Sequence, residues 1–300
     1  MTTSEAPVPV ADGPVGHPPL PAGWLSRYPW ATFVLPLAVY MLAGTLEPSP
    51  PPAADAAVVA AESDEGIAAD PLKDVVDMEE VAPDAAVDAE SRWPHLPYSA
   101  YPWVYTAKLV LTLLAMAAVW PGYRAFRAPV NWPLALGVGL VGAALWIVLS
   151  ELQLERKIGP WAALLDMLGL SGSRAGFNPL AQITDNPAWA YGFLAIRLIG
   201  LALIVPVIEE FFLRGFMMRF VMHANWPEVP FGSINATAAV VGTAFPMLYH
   251  PEQLAALVWF SLVTWLMVRT KNIWDCIVAH GVTNATLGAY VIATDSWHLM

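Results

Sequence analysis

The feature that most constrains this chain is a series of long apolar segments that carry few charges. A helix needs about 20 apolar residues to cross a hydrocarbon core about 30 Å thick. Seven segments of the sequence approach this requirement: residues 30–46, 104–120, 132–152, 189–207 and beyond, 234–249, 254–268 and 273–294. An eighth apolar stretch, residues 161–170, is shorter and indicates either a further span or an interfacial helix.

The composition supports the same interpretation. Hydrophobic residues make up 57% of the chain and charged residues 13%, with a mean hydropathy of +0.52. Soluble domains carry about a quarter of their residues as charged side chains. The sequence therefore predicts an all-α, polytopic transmembrane helix bundle of about seven to eight spans. The single cysteine, Cys276, cannot form a disulfide within the chain.

The net charge of -11 comes from one region rather than from a charged surface. Residues 47–97 hold 13 of the 25 acidic residues and only two bases, Lys73 and Arg92. The remaining chain carries 12 acids and 12 bases, so the sequence predicts no nucleic-acid partner. The acidic segment is rich in Ala and Pro, which favours a disordered linker over a docking segment.

These patterns divide the chain into four parts. Residues 1–26 are predicted to be a disordered tail, residues 27–47 the first transmembrane helix, residues 48–98 an acidic loop and residues 99–300 the helical core. Lysine and arginine positions predict that the N-terminus is inside and the acidic loop outside. The bases that fall inside under this orientation are Arg27, Arg124, Arg127, Arg214, Arg219, Arg269 and Lys271, whereas Arg156, Lys157 and Arg174 fall on the other side.

Two adjacent carboxylates, Glu209 and Glu210, lie within an apolar helical run that continues past them. A carboxylate inside a membrane costs about 2.5–3.5 kcal/mol on insertion scales, so it indicates a functional site. Glu210 and Arg214 are four residues apart and can form an ion pair on one helix face, whereas Glu209 projects elsewhere. Pro206 is expected to kink the helix and to leave the Ala202 carbonyl without its helical partner.

Polar residues of the later spans complete the constellation. His280 and Asn284 are four residues apart in the last apolar segment, so they share a helix face. His250 lies at the end of the fifth apolar segment. A carboxylate can activate water while His or Asn side chains stabilise an oxyanion or protonate a leaving amine. The sequence therefore predicts that Glu209, His250, His280 and Asn284 converge on one cavity. For His250 to reach His280, the fifth span must be short, tilted or re-entrant.

The same residues leave the cofactor open. Two imidazoles and a carboxylate suit a divalent metal such as zinc, and the constellation also suits catalysis without a metal. The chain lacks a His-Glu-x-x-His helix, which excludes the zincin arrangement.

The order Glu209-Glu210-x-x-x-Arg214, then His250, then His280-x-x-x-Asn284, resembles the CAAX protease and bacteriocin-processing (CPBP) family of intramembrane proteases. The resemblance covers roughly residues 100–300. Within the family, the chain is most similar to the CAAX prenyl protease-related branch associated with exosortase sorting, through the stretches EFFLRGFMMR and RTKNIWDCIVAHGVTNATLG. The family usually has Phe four residues before its first histidine, where this chain has Pro246.

The resemblance implies a role for each residue. Glu209 would be the water-activating base, with Glu210 and Arg214 as its support. His250 and His280 would be site histidines, and Asn284 an oxyanion or orienting group. It further implies an intramembrane endopeptidase of a bacterial inner membrane, acting on a membrane-associated protein in contact with the lipid bilayer.

Two other functions are compatible with the residues alone. Buried Glu and His, together with Lys108 and Arg197 in the spans, would also suit a proton-coupled transporter. A non-catalytic scaffold or immunity protein could retain the same residues as polar contacts between helices.

Overall fold

The computed structural model describes residues 22–48, 96–167 and 176–300. All regular secondary structure in these ranges is helical, which confirms the predicted fold class. The tail predicted for residues 1–26 and the acidic loop predicted for residues 48–98 lie almost wholly outside the described residues. Their assignment stays a prediction.

Eight helices form the framework. They are α1 (Ala31–Gly44), α2 (Tyr101–Tyr123), α3 (Trp132–Leu152), α4 (Gly159–Met167), α5 (Pro187–Phe220), α6 (Ala236–Ala244), α7 (Gln253–Thr270) and α8 (Ile273–Thr294). One-turn helices lie at Trp24–Arg27, Leu154–Lys157 and Pro179–Gln182. Short 3₁₀ segments lie at Tyr98–Ala100, Trp226–Glu228, Phe245–Leu248 and Trp297–Leu299.

Five helices of the described part are long and apolar enough to cross a membrane, namely α2, α3, α5, α7 and α8. Helix α1 and the segment Ala236–Leu248 are shorter apolar helices. Each of the seven predicted segments is thus helical, but two of them fall short of a full span by length. The described part of the eighth stretch lies in the nine-residue α4, and residues 168–170 lie outside the described residues. These helices show that the chain is an integral membrane protein.

Asparagine side chains begin several of these helices. The Oδ1 atoms of Asn131, Asn186, Asn235 and Asn272 accept hydrogen bonds from backbone N–H groups in the first turns of α3, α5, α6 and α8. The first turn of a helix leaves N–H groups without partners, and Asn is among the best residues to satisfy them. These caps define where each apolar segment becomes helical, at the ends of the bundle.

Helix α8 is the centre of the bundle, where it packs along α3 and also contacts α5 and α7. A Cβ atom at Gly139 of α3 would lie 2.7 Å from the carbonyl oxygen of Ala279 and from the Cβ of Val282. Small residues let membrane helices approach until their backbones touch. Gly139 therefore allows α3 to lie directly against the part of α8 that carries His280.

Helix α5 is long and irregular. It runs for 34 residues, about 51 Å at 1.5 Å per residue, and contains two π-helical segments, Gly200–Ile204 and Phe211–Met217. Between them lies the short α-helical stretch Val205–Glu210. Such π-helical turns are rare and often mark functional sites. The sequence predicted a distortion at Pro206 but not these two segments.

The structure corrects one part of the orientation argument. Arg214 and Arg219 were counted among the bases that anchor the inner face, yet their exposed fractions are only 0% and 1%. Arg219 donates hydrogen bonds to the carbonyl oxygens of Gly215, Pro227 and Val229. Both guanidinium groups therefore bind inside the protein, and the predicted orientation depends on the remaining bases.

Candidate active site

The two glutamates of α5 occupy different environments. Glu210 is completely buried, whereas the Glu209 side chain is 13% exposed and lines a cavity. Adjacent helical residues project about 100° apart, so one carboxylate faces the protein interior and the other faces the cavity. The sequence predicted this division, and the burial difference gives the two glutamates separate tasks.

Glu210 contacts both Arg214 on its own helix and His280 on α8. Its Oε1 and Oε2 atoms each lie 3.0 Å from Nη1 of Arg214, which is the ion pair predicted from their spacing. Oε1 also lies 2.9 Å from Nδ1 of His280 on α8. The second amino group of Arg214 donates to the Phe260 carbonyl of α7 at 3.3 Å. The sequence assigned Glu210 to support Glu209, but the contact observed is with His280.

This contact determines the orientation of His280. An ionised carboxylate can only accept hydrogen bonds, so the ring donates from Nδ1–H to Glu210. The other nitrogen, Nε2, lies 3.9 Å from Oε2 of Glu209. A water molecule about 2.8 Å from each atom would fit between them and could donate a hydrogen to both. Glu209 and His280 therefore lie close enough for one water to contact both.

His250 follows a short helical segment, which agrees with the prediction that the fifth span must be short, tilted or re-entrant for His250 to reach His280. Helix α6 has only nine residues and continues as the 3₁₀ turn Phe245–Leu248. Nδ1 of His250 lies 2.9 Å from the carbonyl oxygen of Pro246. Because a carbonyl only accepts, neutral His250 carries its proton on Nδ1. The acceptor is the backbone carbonyl of Pro246, which any residue at position 246 would provide.

Aromatic rings surround His250 even though phenylalanine is absent four residues before it. Its ring centroid is 4.6 Å from that of Tyr249, 5.4 Å from that of Trp146 and 5.5 Å from that of Phe260. Trp146 comes from α3 and Phe260 from α7, so two of the three rings around His250 come from other helices.

Asn284 connects α8 to the first π-helical segment of α5. Its Nδ2 atom donates to the carbonyl oxygen of Leu201 at 2.8 Å. The side-chain amide has a second hydrogen, and Asn284 lines the same cavity as Glu209. One turn earlier on α8, a Cβ at Gly281 would lie 2.6 Å from the Ala202 carbonyl oxygen. Glycine therefore lets α8 approach the carbonyl that Pro206 leaves without a helical donor.

A single cavity of about 250 Å³ brings the predicted residues together. Glu209, His250, His280 and Asn284 all line it, as the sequence predicted, whereas Glu210 and Arg214 lie behind it. A water molecule in the liquid occupies about 30 Å³, so the cavity has room for several. The catalytic roles of these residues stay predictions.

Sequence reasoning missed several residues that form the cavity wall. Aromatic and small polar side chains line it beside the histidines, and apolar side chains from α1 and the last residues of the chain line its other end; they are Tyr40, Met41, Trp146, Tyr249, Trp259, Phe260, Thr283, Leu299 and Met300. An apolar side chain in a membrane helix is unremarkable in sequence. Only the helix packing distinguishes these from lipid-facing residues.

The geometry also bears on a metal. No group of three or more His, Cys, Asp or Glu side chains in residues 22–48, 96–167 and 176–300 is arranged to hold a metal ion. Nδ1 of His280 and Nδ1 of His250 already bind protein oxygens. We therefore derive no step of the chemistry through a metal.

The model of a family described as type II CAAX prenyl endopeptidase Rce1-like matches residues 191–286. This segment is similar to a family of membrane proteases. The prenyl endopeptidase-like segment contains every candidate residue from Glu209 to Asn284, and the match supports the CAAX protease resemblance. Comparisons with curated proteins and with solved structures found no match.

Proposed function

We propose that this protein is an intramembrane endopeptidase that hydrolyses a peptide bond of a membrane-associated protein. The observation that carries the proposal is the arrangement of Glu209 and His280, whose Oε2 and Nε2 atoms face each other at 3.9 Å in a cavity inside the bundle. The prenyl endopeptidase-like segment supports the same activity, because it spans both residues.

The chemistry begins with water held between Glu209 and His280. The Glu209 carboxylate takes a proton from this water, and the hydroxide adds to the carbonyl carbon of the substrate. The carbonyl oxygen becomes an oxyanion, for which Asn284 supplies the second hydrogen of its amide. The proton then passes to the leaving amine as the C–N bond breaks, which yields a carboxylic acid and an amine.

His280 is suited to assist because Glu210 holds its Nδ1–H. A carboxylate in this position keeps Nε2 directed at the reacting atoms and stabilises the imidazolium if Nε2 gains a proton. Arg214 in turn holds the Glu210 carboxylate in place through their contact of 3.0 Å. Arg214, Glu210 and His280 therefore form a chain that extends from the buried interior to the cavity.

We further propose that the substrate is cleaved near its C-terminus and that the protein acts in an exosortase-linked pathway of a bacterial inner membrane. This finer proposal depends on the motif resemblance. Coexpression with candidate membrane substrates, followed by mass spectrometry of their C-termini, would test it.

The transporter alternative would use Lys108 and Arg197 together with the buried Glu and His residues. Lys108 forms an ion pair with Glu47 and lies 4.2 Å and 4.5 Å from the ring centroids of Tyr40 and Tyr105. Arg197 donates hydrogen bonds to the carbonyl oxygens of Phe177 and Met300. Both bases thus have partners other than Glu209, Glu210, His250 and His280.

The test is proteolysis by the Glu209→Gln variant in proteoliposomes. Glutamine keeps the shape but cannot accept the proton, so cleavage should fall at least about a hundredfold while the protein stays folded. Glu151→Gln is the matched control, because Glu151 lies on α3, is exposed and lies outside the cavity. Unchanged cleavage by Glu209→Gln would contradict the proposal and favour the scaffold or the transporter hypothesis. A proton-flux assay on the same vesicles would distinguish these two hypotheses.

A further inference from the structure

Trp259 of α7 lies against the ring of His280. The two ring centroids are 4.5 Å apart with an interplanar angle of 62°, and the tryptophan is 2% exposed. The hydrogen bond to Glu210 fixes the position of Nδ1 but leaves the imidazole able to tilt about that bond. A large aromatic ring packed edge-to-face against it restricts this tilt. Trp259 therefore influences where Nε2 of His280 points.

Thr283 holds Trp259 in place. The indole Nε1–H donates to Oγ1 of Thr283 at 3.0 Å. The threonine hydroxyl in turn lies 2.9 Å from the Gly139 carbonyl oxygen and 3.0 Å from the Ala279 carbonyl oxygen. The hydroxyl has one hydrogen, which it donates to one of these carbonyls while it accepts from the indole. The indole thus connects to the backbones of α3 and α8.

This arrangement leaves little free space. A Cβ atom at Gly142 of α3 would lie 2.8 Å from Nε1 of Trp259 and 3.1 Å from Oγ1 of Thr283. Both side chains are 2% exposed. The indole therefore has few alternative positions.

We propose that Trp259 and Thr283 are positioning residues for His280, with the Thr283 hydroxyl fixing the indole that sets the tilt of the imidazole. The inference rests on the proposed function, because it assigns these residues to the same reaction. Neither residue needs to contact the bond that is cleaved.

The first test is Thr283→Val, which keeps the shape and removes the hydroxyl. A small misplacement of a catalytic group can cost up to about a hundredfold in rate, so we expect kcat to fall by about ten- to a hundredfold with KM little changed. Thr283→Ser, which keeps the hydroxyl, should restore most of the rate. Thr264→Val is the matched control. Thr264 lies in α7 and, like Thr283, is buried, at 6% exposure, but it does not line the cavity.

A double-mutant cycle adds a second criterion. Trp259→Phe removes the indole donor but keeps an aromatic ring next to His280. Since Thr283→Val and Trp259→Phe each remove the same hydrogen bond, the double variant should be no slower than the slower single variant by more than about twofold. Independent, multiplicative losses would overturn the proposal.

NMR of the protein with labelled histidine, in detergent, separates failure of the positioning role from failure of the proposed function. Thr283→Val should change the chemical shifts of the His280 ring resonances, whereas Thr264→Val should not. If the wild-type protein cleaves no substrate but the resonances change as expected, the proposed function fails and the positioning contact stands. Unchanged resonances in Thr283→Val, or an equal rate loss in Thr264→Val, would refute the positioning role.

Discussion

Replacing either of the two adjacent glutamates by glutamine should abolish proteolysis, but only one of the two replacements should also destabilise the protein. Glu210 is fully buried and contacts both Arg214 and His280, at 3.0 Å and 2.9 Å. Glu209 lines the cavity, and its Oε2 atom lies 3.9 Å from Nε2 of His280. The chemical change is identical at the two positions, so each variant is the control for the other.

The structure gives the size of the stability effect. Arg214 has an exposed fraction of 0%, so Glu210→Gln would leave a buried guanidinium without its carboxylate. Breaking a buried ion pair from one side costs about 3–5 kcal/mol of unfolding free energy. Glu209→Gln changes a side chain that is 13% exposed and lines the cavity, so it should cost less than about 1 kcal/mol. Both variants should lose proteolysis, but only Glu210→Gln should also lose stability.

The single cysteine provides the assay. Cys276 is 0% exposed, so a thiol-reactive dye should label the purified protein only when it unfolds. Thermal unfolding followed by this dye in detergent would compare wild type, Glu209→Gln and Glu210→Gln. The double variant Glu210→Gln with Arg214→Met removes both charges and should recover part of the lost stability. The reasoning is wrong if Glu210→Gln unfolds at the wild-type temperature, because Arg214 would then have an adequate partner elsewhere.

Four further outcomes are expected. His280→Ala should lower proteolysis by about 10²–10³-fold without unfolding the protein, because it removes assistance to the charged intermediate; wild-type cleavage would exclude that role. Lys108→Met should lower the unfolding temperature in the dye assay, since it leaves Glu47 without its partner between α1 and α2. Deletion of residues 49–95, which keeps Glu47, should leave that temperature unchanged, because the segment has too few apolar residues to form a core. Proteolysis in proteoliposomes should survive a metal chelator, and a loss that zinc restores would contradict the proposed route.

Local properties of the sequence were sufficient for much of the fold and for the identity of the site. The length of an apolar segment and the spacing of Glu210 and Arg214 along one helix depend only on residues close in the chain. The seven predicted segments are accordingly all helical, and the ion pair is present. The charged residues in apolar segments and the later His and Asn residues also indicated a functional site, because polar and ionisable groups are costly inside a membrane and are usually functional there.

The tertiary structure decided which groups meet. Glycine at position 281 lets α8 approach the Ala202 carbonyl, and in the packed bundle Nδ1 of His280 contacts Glu210 rather than Glu209. Trp259 reaches the site from α7, which has no sequence signal connecting it to His280. Contacts between helices depend on packing across many residues of separate segments, so sequence spacing predicts the faces of each helix but not the partners that those faces meet.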